Sequence, residues 1–238
     1  MNAKSTLAGL GERALIRMIA PADITARDVL VGPGDDAAVV RGSRATDRVL
    51  KCDAVGEGVH FLPDAPPVQV GHKALGRVFS DFAAMGATPR HLLVGLAAPP
   101  STPVARIRGL YRGMRRLAAA HGVSIVGGET VRADQLALHV FGVGDVPRGR
   151  AILRSGARAG DVLMVTGALG GSLRGRHLRF TPRIAEGAWL RAGRWARAMI
   201  DLSDGLATDL RHLATASGVG ADLDPHRIPV SPAARAMA

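Results

Sequence analysis

Apolar residues recur at helical spacing over residues 7–19 and again over 68–85, where Val70, Ala74, Val78, Phe82 and Met85 fall on one face. Residues 104–121 repeat the pattern, and Gly122 closes it. Between these stretches lie apolar runs of strand length: 29–31, 37–40, 49–55, 92–97, 123–126 and 136–143. Glycine punctuates them, with Gly-Pro-Gly-Asp-Asp at 32–36, Gly-Glu-Gly at 56–58 and a predicted Gly-Gly-Glu turn at 127–129. The stretch 145–160 is rich in turn residues and is read as a domain boundary. Beyond it the pattern predicts a strand over 162–165, a helix over 182–192, a buried strand over 199–202, a helix over 205–216 and a short strand over 221–223. Alternating strands and helices define an α/β (α+β) class, divided into an N-terminal domain of residues 1–146 and a C-terminal domain of residues 147–238.

Composition narrows the class. Of the 238 residues 47% are apolar and only 3% aromatic, so the core is built from Ala, Val, Leu and Ile. Cys52 is the one cysteine, which excludes an internal disulfide and points to a reducing, cytoplasmic setting, with the thiol expected to be buried and inert. No apolar run approaches the ~20 residues that span a bilayer. The first twenty residues carry Glu12 and Arg13 and lack a sustained apolar stretch, so they read as a mature N-terminus with a short helix rather than a signal peptide.

The net charge is +11, and apart from Lys4, Lys51 and Lys73 every basic residue is arginine. Residues 148–197 carry 11 arginines against Asp161 and Glu186. Such a block suits a phosphorylated ligand or nucleic acid, or is simply a solvated face. The scarcity of aromatic side chains argues against single-stranded nucleic acid.

The acidic residues are more informative. Asp35, Asp36, Asp53, Asp81, Glu129, Asp201 and Asp204 stand at or just beyond the ends of apolar segments, with little basic charge adjacent. Taken singly each can be a cap or an Asx turn, as Asp204 before Gly205 or Asp35 within its turn. Taken together, buried carboxylates need a counter-charge. A set of oxygen donors alone suits Mg²⁺ or Ca²⁺ rather than zinc. The segment Gly32-Pro33-Gly34-Asp35-Asp36-Ala37 imitates a dinucleotide fingerprint, but its two carboxylates repel a pyrophosphate and Pro33 lacks a backbone donor. The glycine-rich run 167–172 lacks the Lys of a phosphate loop and offers only backbone N–H groups. His60, beside the Gly-Glu-Gly turn, and Tyr111, the sole tyrosine, are candidate ligand contacts.

Several segments together resemble the thiamine-monophosphate kinase family, within the aminoimidazole-ribonucleotide synthetase-like superfamily. They are Pro33-Gly34-Asp35-Asp36-Ala37, Cys52-Asp53 with Glu57-Gly58-Val59-His60-Phe61, Ser80-Asp81-Phe82-Ala83-Ala84-Met85-Gly86, Gly127-Gly128-Glu129-Thr130, Arg154-Ser155-Gly156 and Asp201-Leu202-Ser203-Asp204-Gly205-Leu206. The resemblance implies a two-domain fold of that superfamily, a homodimer formed through the N-terminal sheet, and Mg²⁺-assisted transfer of a phosphoryl group from ATP to thiamine monophosphate. It implies metal ligands at Asp36, Asp53, Asp81, Glu129, Asp201 and Asp204, with Cys52 standing where a Thr or Ser ligand is usual. Nucleotide contacts are implied for Tyr111, Gly128, Glu129, Arg154 and Ser203, and a substrate contact for His60.

The chain departs from the family pattern at Glu129 for aspartate, at Cys52, at Gly56 for valine and at Val78 for asparagine. It also ends at Ala238, before a Gly-Glu-Asp-Tyr-Glu-Leu-like strand, so an incomplete second domain with an open sheet edge and partial disorder after about residue 150 is expected. The alternatives are another ATP-using member of the superfamily, a catalytically weak nucleotide- or metal-binding remnant, and a basic nucleic-acid binder.

Overall fold

A computed structural model describes residues 27–237. The helix expected over 7–19 lies outside the described residues. Six strands form one mixed sheet: β1 (Val29–Val31), β2 (Ala38–Arg41), β3 (Thr46–Gly56), β4 (Thr88–Ala98), β5 (Ser124–Arg132) and β6 (Ala137–Pro147), in the order β1-β2-β3-β6-β4-β5. All neighbours run antiparallel except β4 and β5. That parallel pair requires a crossover, and the helix α2 (Val104–Ala120) supplies it.

Helix α1 (Pro67–Ala84) lies across β3, β6 and β4, with α2 beside it. The inward face of the sheet presents Val49, Val55, Leu92, Val94, Leu138 and Val140, all buried against Leu75, Val78, Phe79 and Phe82 of α1. The two helices approach backbone to backbone. A Cβ on Gly71 would stand 1.9 Å from the Leu110 carbonyl oxygen, and one on Gly113 the same distance from that of Val68. Only glycine permits this spacing.

Among the described residues, no layer covers the other face of the sheet. Along β5 nearly every residue is exposed, including Val126 and Val131, and on β4 Leu93 is 42% exposed.

The predicted turn at 127–129 is not a turn. The strand runs through Gly127-Gly128-Glu129, which pair with Leu93, Val94 and Gly95 of β4; a Cβ on Gly128 would meet the Val94 carbonyl oxygen at 1.9 Å, and its φ of +155° is one that residues with side chains rarely adopt. These glycines serve close strand approach rather than reversal.

After Pro147 the described residues hold helices α3 (Ile184–Gly193), α4 (Leu206–Ser217) and the short α5 (Pro232–Arg235), but no strand. The strands expected over 162–165, 199–202 and 221–223 are therefore corrected, and the expected open sheet edge with them. A strand needs a continuous ladder with a second extended segment, and here the pairing stops at one bridge between Leu169 and Val230 and one bond from the Met199 N–H to the Leu153 carbonyl. Val162 and Met164 stay more than four-fifths exposed. This half docks through α3, where a Cβ on Gly187 would lie 2.1 Å from the Ala83 carbonyl oxygen of α1. The Arg191 guanidinium donates to the Gly86 carbonyl at 2.5 Å and that of Arg150 to the Arg191 carbonyl at 3.1 Å.

Candidate functional site

Three carboxylates from three separate parts of the chain meet at one end of α1. Asp36 comes from the β1–β2 connection, Asp81 from the last turn of α1, and Asp201 from the segment before α4. One oxygen of each lies within 4.8 Å of the others. Asp36 and Asp81 are buried, and Asp36 Oδ2 has no hydrogen-bond partner.

Their surroundings set their charge. Burial pushes the Asp36 carboxyl up to about 6, against the Arg154 guanidinium that holds it down. Burial and then Asp201 raise Asp81, against the pull of Lys51. Burial raises Asp201, offset by a hydrogen bond from Ser80. Carboxylates gathered out of water in this way favour a proton or a cation between them.

The protein brings its own cations. Arg154 donates through Nε at 3.1 Å and Nη2 at 2.5 Å to Asp36 Oδ1, while its backbone N–H donates to Asp35 Oδ2 at 3.1 Å. Lys51 Nζ stands 3.0 Å from Asp81 Oδ2 and 3.8 Å from Asp53 Oδ1, and Arg77 Nη2 is 3.6 Å from the same Asp53 oxygen.

Lys73, Arg77 and Asp81 follow one another at four-residue steps, so one side of α1 is a charged stripe facing the site. Lys73 Nζ also donates to the His60 carbonyl at 2.5 Å and lies 3.0 Å from His177 Nδ1. The Gly56 N–H donates to His60 Nδ1 at 3.1 Å, which leaves the ring proton on Nε2. Burial and the neighbouring Arg77 and Lys73 lower the His60 pKa and keep the ring neutral.

At the start of α4, the Asp209 carboxylate accepts the backbone N–H groups of Asp204 and Gly205 at 3.1 and 3.0 Å. Ser203 and Asp204 are thereby held exposed at the mouth of the helix. The glycine-rich run at 167–172 is committed elsewhere: Leu169 exchanges backbone bonds with Pro229 and Ser231.

Of the residues singled out from the sequence, Asp36, Asp81 and Asp201 converge, with Arg154 upon them. Asp53 faces the same side but is engaged by Lys51 and Arg77. Asp204 lies at the mouth, outside the triad. Cys52 and Glu129 are not brought to it. Successive residues of a strand point to opposite faces, so beside Asp53 Cys52 faces away. It is exposed rather than buried, and with Glu129, Leu93, Gly95, Gly128, His139 and Phe141 it lines a cavity of about 400 Å³ on the face of the sheet opposite α1. Tyr111 packs on α2 with the Arg115 guanidinium 5.8 Å from its ring centre.

Lys51, Lys73, Arg77 and Asp209 were not legible as site residues. The signal for Lys51 was its two-residue spacing from Asp53, and for Lys73 and Arg77 their four-residue steps to Asp81.

Much of the basic block is spent inside the molecule. Arg150 and Arg191 cap carbonyls, while Arg154, Arg183 and Arg197 pair with Asp36, Glu186 and Asp161.

A mixed sheet backed by two helices, with a carboxylate triad at its end, defines the class. A family profile described as AIR synthase related protein, N-terminal domain, matches residues 34–146. Thiamine-monophosphate kinase of Mycobacterium tuberculosis is 41% identical, over 92% of this chain and 70% of the relative. That of Bacillus subtilis is 35% identical, over 93% of this chain and 75% of the relative. A solved structure described as AaThiL complexed with AMPPCP and TMP superposes with a TM-score of 0.86 at 32% identity, covering 96% of this chain and 77% of the other. The chain belongs to the thiamine-monophosphate kinase family.

Proposed function

We propose that this chain transfers the terminal phosphoryl group of ATP to thiamine monophosphate, giving thiamine diphosphate and ADP. The observation that carries the reading is the convergence of Asp36, Asp81 and Asp201 in a chain of this family. The donor set fits Mg²⁺, because it is all carboxylate oxygen and Asp36 Oδ2 is buried without a partner. Mg²⁺ held by these three residues would neutralise phosphate oxygens as charge develops in transfer.

The remaining work falls to the chain's own cations. Arg154 sits where its fork can pass from Asp36 to a phosphate. Lys73 and Arg77, with the Nε2 proton of His60, form a cationic edge suited to the monophosphate of the acceptor. The attacking group is a phosphate oxygen, already ionised at neutral pH, so the site needs positioning and charge compensation rather than a strong base. Ser203 and Asp204, at the N-terminus of α4, are placed for a nucleotide phosphate and its cation.

We assign Tyr111, Gly128 and Glu129 to the nucleotide on the family resemblance. Cys52 has no part in metal binding.

We also propose a homodimer across the face of the sheet opposite α1, where Leu93, Val126 and Val131 are exposed among the described residues. It also includes a division of the chain into residues 1–146 and 147–238. The end of the sheet at Pro147 and the extent of the family profile support that division. No helix among the described residues is long and apolar enough to cross a membrane, and a cytoplasmic location accords with the single cysteine.

Calorimetric titration with ATP tests the site. Binding that requires Mg²⁺, survives Glu186→Gln and is lost in Asp81→Asn supports it. Binding indifferent to Mg²⁺ or to Asp81 would contradict it.

A further inference from the structure

On β3, Lys51 and Asp53 stand two residues apart and so share the face that looks onto α1. The Lys51 side chain is only 22% exposed, and its ammonium lies 3.0 Å from Asp81 Oδ2 and 3.8 Å from Asp53 Oδ1. Those carboxylates come from different elements, and Asp81 is one of the triad whose oxygens lie within 4.8 Å of each other. A positive charge is therefore seated at the rim of the carboxylate site, bridging a strand and a helix as a metal ion would.

Its geometry restricts what else can bind. A divalent ion bridging Asp53 and Asp81 would stand within about 4 Å of the ammonium, where like charges at low dielectric repel strongly. Arg77, 3.6 Å from the same Asp53 oxygen, adds to that repulsion. Asp53 Oδ1 thus faces lysine and arginine, and Asp81 Oδ2 faces the same ammonium.

We propose that Lys51 is a resident cation that occupies one of the cation positions of this site. The chain then binds one divalent ion fewer than its carboxylates would otherwise hold, and Asp53 is not a metal ligand while Lys51 is present. The inference rests on the reading of the triad as a divalent-ion site. An ordinary ion pair tying a strand to a helix would leave the number of bound ions untouched, and this difference separates the two accounts.

The test counts Mn²⁺ bound per chain by equilibrium dialysis with electron paramagnetic resonance, on the full chain and on Lys51→Met, Lys51→Gln and Lys51→Arg, each checked for folding by circular dichroism. The expected result is one additional Mn²⁺ per chain in Lys51→Met and Lys51→Gln, and the wild-type number in Lys51→Arg. The two neutral variants should also melt lower than wild type in chelator and recover more on adding Mn²⁺. An unchanged count, with affinity within about twofold of wild type in both neutral variants, overturns the proposal while leaving the metal site intact. No Mn²⁺ bound by any of the four proteins overturns the metal reading and this proposal together.

Discussion

Cys52 and Asp53 are adjacent on β3 yet open onto opposite faces of the sheet. Asp53 Oδ1 stands 3.6 Å from Arg77 of α1, whereas Cys52 lines the exposed cavity with Glu129 and His139. Substitution should separate them from the triad. Cys52→Ala is expected to leave Mn²⁺ affinity within about twofold, while Asp36→Asn or Asp81→Asn weakens it by at least about tenfold, roughly 1.4 kcal/mol. Equilibrium dialysis decides this, and equal losses in all three would place Cys52 in the site.

The Arg154–Asp36 pair has an asymmetric cost. Removing the guanidinium leaves a buried carboxylate without its counter-charge, and truncating one partner of such a pair typically costs about 3–5 kcal/mol. Arg154→Met should therefore lose stability of that order in chelator at neutral pH, by denaturant unfolding. Mg²⁺ should restore part of it, because the ion supplies the missing charge.

The raised Asp36 carboxyl gives stability a definite pH dependence. Its folded value of about 6 exceeds the ordinary 3.8, so between these values the folded chain holds the proton more than the unfolded chain does. Its contribution is complete below about pH 4 and is lost as pH rises through 6, about 3 kcal/mol in all. Unfolding in chelator should show wild type losing more stability than Asp36→Asn between pH 4 and pH 7. Added Mg²⁺ should remove much of that loss, and its affinity should fall below about pH 6. Parallel pH profiles for the two proteins would contradict this.

The contact between α1 and α2 has no room for a methyl group. Gly71→Ala or Gly113→Ala forces a Cβ against a carbonyl oxygen, and the helices must separate. Overpacking of this kind costs about 1–3 kcal/mol or more, and a lower denaturation midpoint with an unchanged slope is expected.

What could be read in advance follows from where each signal lives. The helices α1 and α2 carry long runs of 3.6-residue periodicity, and their bounds came out within a few residues. Asp36, Asp81 and Asp201 were legible because carboxylates beside apolar segments demand a partner. The strands after residue 160 were not, because an apolar run such as 162–165 becomes a strand only beside another, and pairing is not a local property. Gly127 and Gly128 were misread because glycine marks close backbone approach as readily as reversal. Lys51 and Arg77 were missed because a lone basic residue looks solvated until the fold shows what it faces.

The reaction itself is tested by ADP release from the purified chain with ATP and Mg²⁺, with thiamine monophosphate as acceptor and thiamine as control. The expected result is ADP release that depends on thiamine monophosphate, ignores thiamine and is lost in Asp81→Asn. Release that is indifferent to thiamine monophosphate, or no release from a chain that binds both Mg²⁺ and ATP, would contradict it.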